Sequence, residues 1–444
     1  MTAPSESDRP LDHPAAVRAW AAHLAAGGTT PWRAWRTGQA AGSAPTGHQG
    51  AMPSDERDLP GAAQLEAVRR LAERRAATQG AALEESRFAV LADRVLATPG
   101  PGRGLPHLPV VALDPATGEA QARSDAIGAR PADPARVPLE ELLRVLTGVL
   151  PDLLVRAAPH LPGPQPAPRA ASGTPRRTRG KVVRFRVAGP PAASAAVRAA
   201  LLAAGHREGG PESQVVIVGL PIEAMLAEAW GIRVARGSSI RWHRFLSKWT
   251  ADRLLVSVNL PALARHHATP AKRDLRTRIA GALTRTPPTP PPLVVLAPSV
   301  EELLPRVAEA LGLPDLPPAP QQPSGIDAES ADLLRRVHRI AGVSLSPQRC
   351  ESATAAGVAL LGRPGERPQL AAPGGFEDRI GRLARSLAEE LGADAAAGRY
   401  AVAGDPALLA TPAAVRSAPD LGVVLDRGLD LVLAVAAAVP EERS

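Results

Sequence analysis

The stretch Val215-Val-Ile-Val218 decides the fold class, because four consecutive apolar residues are typical of a strand that is buried on both faces of a sheet. A second run of this kind, Leu293-Val-Val-Leu296, lies further along the chain. Each run is followed by a helical pattern, Ile222 to Trp230 after the first and Val300 to Leu311 after the second. Buried strands that alternate with helices predict an α/β domain with a parallel sheet flanked by helices.

The part of the chain before these strands has helical patterns and no clear strand pattern. Its clearest element is Pro138 to Val155, which has proline at the first position, acidic residues in the first turn and leucines along one face. A Pro- and Arg-rich stretch without apolar periodicity follows. We therefore predict an α-helical module over 1–155, a linker over 156–180 and the α/β domain over 181–444. No internal repeat is predicted.

Composition excludes several classes of protein. The single cysteine, Cys350, excludes a disulfide framework and a cysteine-based zinc site, and it is typical of a reducing compartment. The first ten residues lack the basic and apolar regions of a signal peptide. The most apolar stretch, Leu429 to Val439, is shorter than the roughly 20 residues of a membrane span. We expect a cytoplasmic protein without a membrane span.

The net charge of +8 is concentrated in two stretches. Residues 156–186 carry 8 basic and 0 acidic side chains, and residues 231–286 carry 12 and 2. Local positive charge attracts anions. The run Arg176-Arg-Thr-Arg179-Gly-Lys181 is a candidate contact for nucleic acid, but such runs are usually solvated. Nucleic acid is therefore the disfavoured partner, and an anionic small molecule or a protein is preferred.

The familiar catalytic motifs are absent from the sequence. It contains no G-x-S-x-G elbow, no H-E-x-x-H zinc motif, no G-x-G-x-x-G loop and no Walker loop. His266 and His267 are adjacent and point in different directions, while His206, His243 and His338 have no partner at ligand spacing. The sequence predicts no metal site.

One segment has a shape suited to phosphate binding. The predicted strand Val182 to Val187 leads through Gly189, Pro190 and Ser194 into a helix. A strand, loop and helix start present backbone N–H groups and the positive end of the helix dipole to an anion. The loop has no lysine, and its two prolines remove two donors. From the residues alone, an ordinary connection between strand and helix is the preferred interpretation.

The order of the segments indicates a family. From about 181 to 411 the chain resembles a sulfotransferase-like P-loop family that is common in actinobacterial genomes. The resemblance rests on the loop Gly189 to Ala195 and on these later segments: Val215 to Leu246, Leu293 to Pro298, Ala331 to His338 and Tyr400 to Leu409. It implies a P-loop fold and, if the protein is active, 3′-phosphoadenosine 5′-phosphosulfate as the sulfonate donor, with Gly189, Pro190 and Ser194 in the binding loop.

The departures from the family fall on functional positions. Pro191 or Ala192 stands where the family has its loop lysine, and Gly219 stands where it has an arginine for the 3′-phosphate. The family's other 3′-phosphate contacts correspond to Ser238, Ser239 and Arg241, at the start of the second basic stretch. Loss of a phosphate-bridging cation removes charge-assisted hydrogen bonds of about 1.5–3 kcal/mol each. The resemblance therefore implies a catalytically degenerate relative.

Aromatic residues flank these positions. Trp242, Phe245 and Trp249 recur at helical spacing and so share one helix face. Such a stripe usually packs into the core, and a residual nucleotide pocket is the alternative.

Three hypotheses for the function remain open. The first is a non-catalytic or weakly active relative that binds an anionic ligand or a protein partner. The second is an active sulfotransferase that uses substitute residues, namely Ser194, Arg241 and His243, of which His243 is the candidate catalytic residue. The third is nucleic-acid binding through the two basic stretches. The sequence leaves open whether the protein is an enzyme.

Overall fold

The computed structural model of the 444-residue chain describes part of its length. The described residues are 13–40, 59–78, 83–99, 108, 110–113, 120–121, 132–161, 182–210, 213–249, 257–268, 290–317, 324–412, 414 and 416–439. The basic run at 176–181, most of the linker predicted over 156–180 and most of the candidate strand at 254–258 lie outside them.

The described elements are mainly helical. The helices are α1 (His13–Ala25), α2 (Trp32–Ala40), α3 (Ala62–Ala77), α4 (Glu85–Leu96), α5 (Leu139–Ala157), α6 (Pro191–Ala203), α7 (Ile222–Ala235), α8 (Trp242–Trp249), α9 (Leu260–Ala268), α10 (Val300–Ala310), α11 (Ala328–Ser344), α12 (Pro347–Leu361), α13 (Glu377–Ala396) and α14 (Leu421–Ala438). The strands are β1 (Ala112–Leu113), β2 (Ala120–Gln121), β3 (Arg184–Ala188), β4 (Arg207–Glu208), β5 (Gln214–Gly219), β6 (Leu293–Leu296), β7 (Ser324–Gly325), β8 (Arg363–Pro364) and β9 (Ala401–Ala403).

The chain divides into two compact units, both discontinuous in sequence. Unit 1 comprises residues 1–161, 336–360 and 420–444, and unit 2 comprises residues 162–335 and 361–419. The sequence treats 181–444 as one domain, whereas the structure assigns α12 and α14 from that range to unit 1. The reason is packing, because the apolar face of α14 lies along α5 and buries Val424, Leu425 and Val432.

Unit 1 is built around helix α5. The predicted helix at Pro138 to Val155 is confirmed, since its leucines at positions 142, 146 and 150 are fully buried. The helix or strand predicted at Leu429 to Val439 is a helix that begins at Leu421, where the Asp420 side chain accepts hydrogen bonds from two backbone N–H groups. The sequence predicts no helix over α12, because alanine, serine and threonine leave it without a clear apolar stripe.

Unit 2 contains a five-stranded sheet in the order β4-β3-β5-β6-β9, with every pairing parallel. Helices cover it, so the predicted α/β class with a parallel sheet flanked by helices is confirmed. Numbered within the sheet, the order is 2-1-3-4-5, a doubly wound arrangement. In such sheets ligands bind at the carboxyl ends of the strands where the order reverses, which is the point between β3 and β5.

The two faces of this sheet are covered by different helices. Helices α6 and α10 contact each other and pack on β3 and β6, over the face that carries Phe185. Helix α9 covers the opposite face at the ends of β5 and β6 and contacts α13. On that face Arg184 and Arg186 of β3 are exposed. No helix in the described part of the chain is long and apolar enough to cross a membrane.

Candidate functional site

The reversal point of the sheet is closed by backbone packing. Gly189, directly after β3, has φ +127°, a conformation that L side chains rarely adopt. A β-carbon added at Gly189 would lie 2.3 Å from the carbonyl oxygen of Val218 in β5. The loop after β3 therefore lies directly against the end of the neighbouring strand.

The N-terminus of α6 is already occupied by an acidic side chain of the same chain. Pro190 caps the helix and Pro191 has no N–H, so Ala192 provides the first backbone donor. That N–H donates a hydrogen bond to Oε1 of Glu228 on α7 at 2.6 Å. The next assigned donor, the N–H of Ser194, is bound to the Pro190 carbonyl at 2.8 Å. The position that would attract a phosphate thus holds a carboxylate of the protein itself.

Glu228 is almost completely buried, with 3% of its surface exposed. Burial raises the pKa of this carboxyl above its ordinary value, against the opposing effects of the Ala192 N–H and the charge of Arg367. Its second oxygen, Oε2, has no hydrogen-bond partner among the described residues. The buried hydroxyl of Ser194 is also without a partner there. The interior beside the α6 N-terminus therefore holds a carboxyl group in place of a cation that could bridge phosphates.

This raised pKa predicts how stability depends on pH. The unfolded carboxyl ionises near its ordinary value of 4.5, while the folded one resists ionisation, so the contribution of Glu228 to stability is present below that pH and is lost as the pH rises through the folded pKa. Glu228→Gln keeps an acceptor for Ala192 and cannot ionise. We expect the variant to gain stability relative to the wild type as the pH rises from 4 to 8, measured by urea unfolding. If the free energies of unfolding of the two proteins changed in parallel with pH, the raised pKa of Glu228 would be contradicted.

Gly219, which stands where the family's phosphate-binding arginine would be, is enclosed by apolar side chains. A β-carbon added there would lie 2.4 Å from Cδ1 of Leu260 and 2.6 Å from Cδ2 of Leu296. Leu260 is fully buried at the start of α9. Leucine side chains therefore cover the end of β5, and a larger residue at Gly219 would have to displace them.

A buried carboxylate anchors α9 over this position. Asp394 on α13 accepts hydrogen bonds from Nε of Arg265 at 2.8 Å and from the hydroxyl of Tyr400 at 2.9 Å, and it also pairs with Arg399. Burial alone would raise the pKa of Asp394, but the Tyr400 hydrogen bond and the two arginines lower it below its ordinary value. Burial and the hydrogen bond to Asp394 raise the pKa of Tyr400. The group joins α9 to α13 and so fixes the helix that closes the end of β5.

The other predicted site residues lie on the turn after α7 and on α8. Ser239, Arg241 and His243 are exposed, and Ser238 is half-buried. The backbone N–H of Ser238 is bound to the carbonyl of Arg233, which lies five residues beyond Glu228 on α7. At 1.5 Å per residue, this is about 7 Å further along the helix axis. The structure therefore places the predicted residues after α7 at a different position along this helix from the loop after β3, which lies beside Glu228. Ser194 in that region is buried, whereas His243 is exposed.

The aromatic residues of this region form part of the core. Trp242 and Phe245 are buried and their rings stack at a centroid distance of 5.9 Å. Trp230 is fully buried, its indole N–H donates to the carbonyl of Ile240 at 2.9 Å, and its ring is tilted against Trp242 at 5.8 Å. The core interpretation of Trp242 and Phe245 is confirmed, and the side chain of Trp249 lies outside the described part. We call residues 222–249 the second aromatic corner.

Unit 1 contains the same arrangement 210 residues earlier, over 13–40, and we call it the first aromatic corner. The indole N–H of Trp20 donates to the carbonyl of Thr30 at 2.9 Å, and Trp20 is tilted against Trp32 at 5.1 Å. Gly27 and Gly237 end the first helix of each corner with φ +89° and +94°. The N–H groups of Gly28 and Ser238 close the turns at 2.9 and 3.0 Å. The chain therefore contains an internal repeat, which the sequence analysis does not predict.

The sequence carries a weak signal of this repeat. Both corners contain tryptophans twelve residues apart, followed three residues later by another aromatic, Trp35 in the first and Phe245 in the second. The surrounding residues differ too much for identity to reveal the relation. The shared feature is the alternation of buried and exposed positions, which becomes evident once both corners are folded.

No family model, no curated protein and no solved structure matches the chain.

Proposed function

We propose that this protein acts by binding and does not transfer a sulfuryl group, although its second part resembles a sulfotransferase-like family. The observation that carries the proposal is the carboxylate of Glu228 at the N-terminus of α6. Sulfuryl transfer creates negative charge that an active site must stabilise with cations and N–H donors. A buried carboxyl group at this position offers no positive charge to stabilise that negative charge, and it takes up the first N–H of the helix.

Two further contacts support the proposal. The Gly189 loop lies against Val218, and Leu260 covers Gly219. Each of these positions would need open space in a protein that holds a nucleotide between the ends of β3 and β5. Here these positions are filled by backbone and leucine side chains, which stabilise the fold through burial.

Titration calorimetry with 3′-phosphoadenosine 5′-phosphate tests the proposal. We expect no saturable heat for the full-length protein at millimolar nucleotide, because the Glu228 carboxyl already takes up the first N–H of α6. Saturable binding at that concentration, or transfer of sulfate to any acceptor in a panel, would contradict the proposal.

A pair of Glu228 variants sharpens the test. Glu228→Ala removes the internal acceptor and leaves the Ala192 N–H without a partner at the positive end of the helix dipole, so we expect weak sulfate binding to appear. Glu228→Gln keeps an acceptor for that N–H and should bind no sulfate. Equal sulfate binding by both variants would show that the carboxylate is not what occupies the anion position.

A further inference from the structure

The repeat provides an internal comparison for the basic surface of unit 2. Five exposed positions of the second aromatic corner carry cationic or titratable side chains: Arg236, Arg241, His243, Arg244 and Lys248. The residues at the equivalent positions of the first aromatic corner are Ala26, Pro31, Arg33, Ala34 and Gly38. Both corners form the same turn and the same indole hydrogen bond. The extra charge is therefore not needed to fold the corner. We call these five residues the basic corner.

The charge of the basic corner is poorly compensated. Residues 231–249 contain no aspartate or glutamate. Among the described residues, Arg236, Arg241 and Arg244 form no ion pair with a carboxylate. The one arginine at an equivalent position of the first aromatic corner, Arg33, is paired with Asp133 at 2.7 Å. The like charges of these three arginines repel one another in the isolated protein, and that cost in free energy is relieved when an anion binds.

The spacing of the cations fits a linear polyanion. The carbonyl of Arg241 accepts the first hydrogen bond of α8, so residues 241, 244 and 248 lie on one face at helical spacing. They span about 10 Å along the helix axis. Double-stranded nucleic acid carries one negative charge per roughly 1.7 Å of its axis, so several phosphates lie within that length.

The exposed residues of this surface favour double-stranded nucleic acid over a protein partner or a single strand. The other exposed positions of this surface are Gly237, Ser239 and Ser247, which offer no apolar anchor of the kind that protein interfaces bury. Among the described side chains of α8, Trp242 and Phe245 face the core and so provide no platform on which unpaired bases could stack. Contacts to phosphates alone position a protein on a duplex without reading its sequence.

We propose that the basic corner binds the phosphate backbone of double-stranded nucleic acid without base specificity. The inference deepens the proposed binding role, and it concerns a different surface from the closed reversal point of the sheet. A failure of duplex binding would leave the nucleotide titration above unaffected, so the two proposals can fail separately.

Fluorescence anisotropy with a labelled DNA duplex of about 20 base pairs and mixed sequence tests the inference on the full-length protein, with KCl varied from about 50 to 200 mM. We expect the affinity to fall steeply with salt. The triple variant R236S/R241S/R244S should bind at least about tenfold more weakly at the lowest salt, and its log–log salt slope should be smaller by about 2 to 3. The variant R363S/R382S/R385S removes three exposed arginines elsewhere in unit 2 and should behave like the wild type.

Several outcomes would overturn the inference. These are absence of duplex binding at the lowest salt, an equal loss of affinity in both triple variants, tighter binding to the single strand than to the duplex, and displacement of the duplex by poly-glutamate at equal charge concentration. The last result would identify an acidic polypeptide as the partner. Circular dichroism checks that both triple variants are folded. If R236S/R241S/R244S is unfolded, Arg244→Ser alone replaces it and should lower the salt slope by about 0.9.

Discussion

Trp230→Ala is expected to lower the free energy of unfolding by about 3–5 kcal/mol, the range measured for large aromatic residues that are deleted from a core. The side chain is fully buried, and its removal leaves a cavity beneath the second aromatic corner. It also leaves the carbonyl of Ile240 without its indole donor. Urea unfolding followed by far-UV circular dichroism measures the change, because this signal does not depend on the tryptophan that is removed.

The repeat supplies a matched comparison for this prediction. Trp20→Ala should cost a similar amount in unit 1, since Trp20 is equally buried and makes the equivalent hydrogen bond to Thr30. His243→Ala, on the exposed side of the second aromatic corner, should change stability by less than about 0.5 kcal/mol. A loss of less than about 1 kcal/mol for Trp230→Ala would show that this corner is not part of the core.

Gly189→Ala is expected to destabilise the protein by about 3 kcal/mol or more. Two costs combine at this position. The backbone has φ +127°, which penalises any β-carbon, and the added carbon would lie 2.3 Å from the carbonyl oxygen of Val218. Relief of that contact requires the ends of β3 and β5 to separate, and their hydrogen bonds hold the centre of the sheet.

Gly209→Ala is the matched control in the same unit. Gly209 also has a positive φ of +81°, but nothing lies within 4 Å of the position of its β-carbon. We expect a cost of about 1–2 kcal/mol, which is the conformational penalty alone. The difference between the two variants in urea unfolding isolates the close approach of the loop to β5. Equal costs would mean that the reversal point of the sheet is more open than the structure shows.

Much of the local structure of unit 2 was predictable. The buried runs at 215–218 and 293–296 became neighbouring strands β5 and β6, because continuous apolar runs can be accommodated only in a sheet covered on both faces. The strand predicted at Val182 to Val187 is β3, shifted to Arg184–Ala188. Some element ends moved by one or two residues, and the helix predicted from Ile222 to Trp230 extends five residues further, to Ala235.

The candidate site was less predictable. The loop after β3 was correctly placed between a strand and a helix, yet its main contact, Glu228, lies 36 residues from Ala192. In the sequence Glu228 is one acid in a helical pattern and carries no sign that it is buried. The repeat escaped prediction for a related reason, since it is defined by Trp20 and Trp230 occupying the same place in two folded corners.

The fold class, the places of the main strands and helices, and the scarcity of cations at the loop after β3 can all be read from the amino-acid sequence. These follow from local patterns, because apolar periodicity and residue type act within a few residues of each other. The packing of α14 on α5, the reversal of strand order between β3 and β5, and the position of Glu228 at the N-terminus of α6 become visible only in the folded chain. Each of these depends on packing between distant segments, where burial turns an ordinary glutamate into the group that fills the anion position.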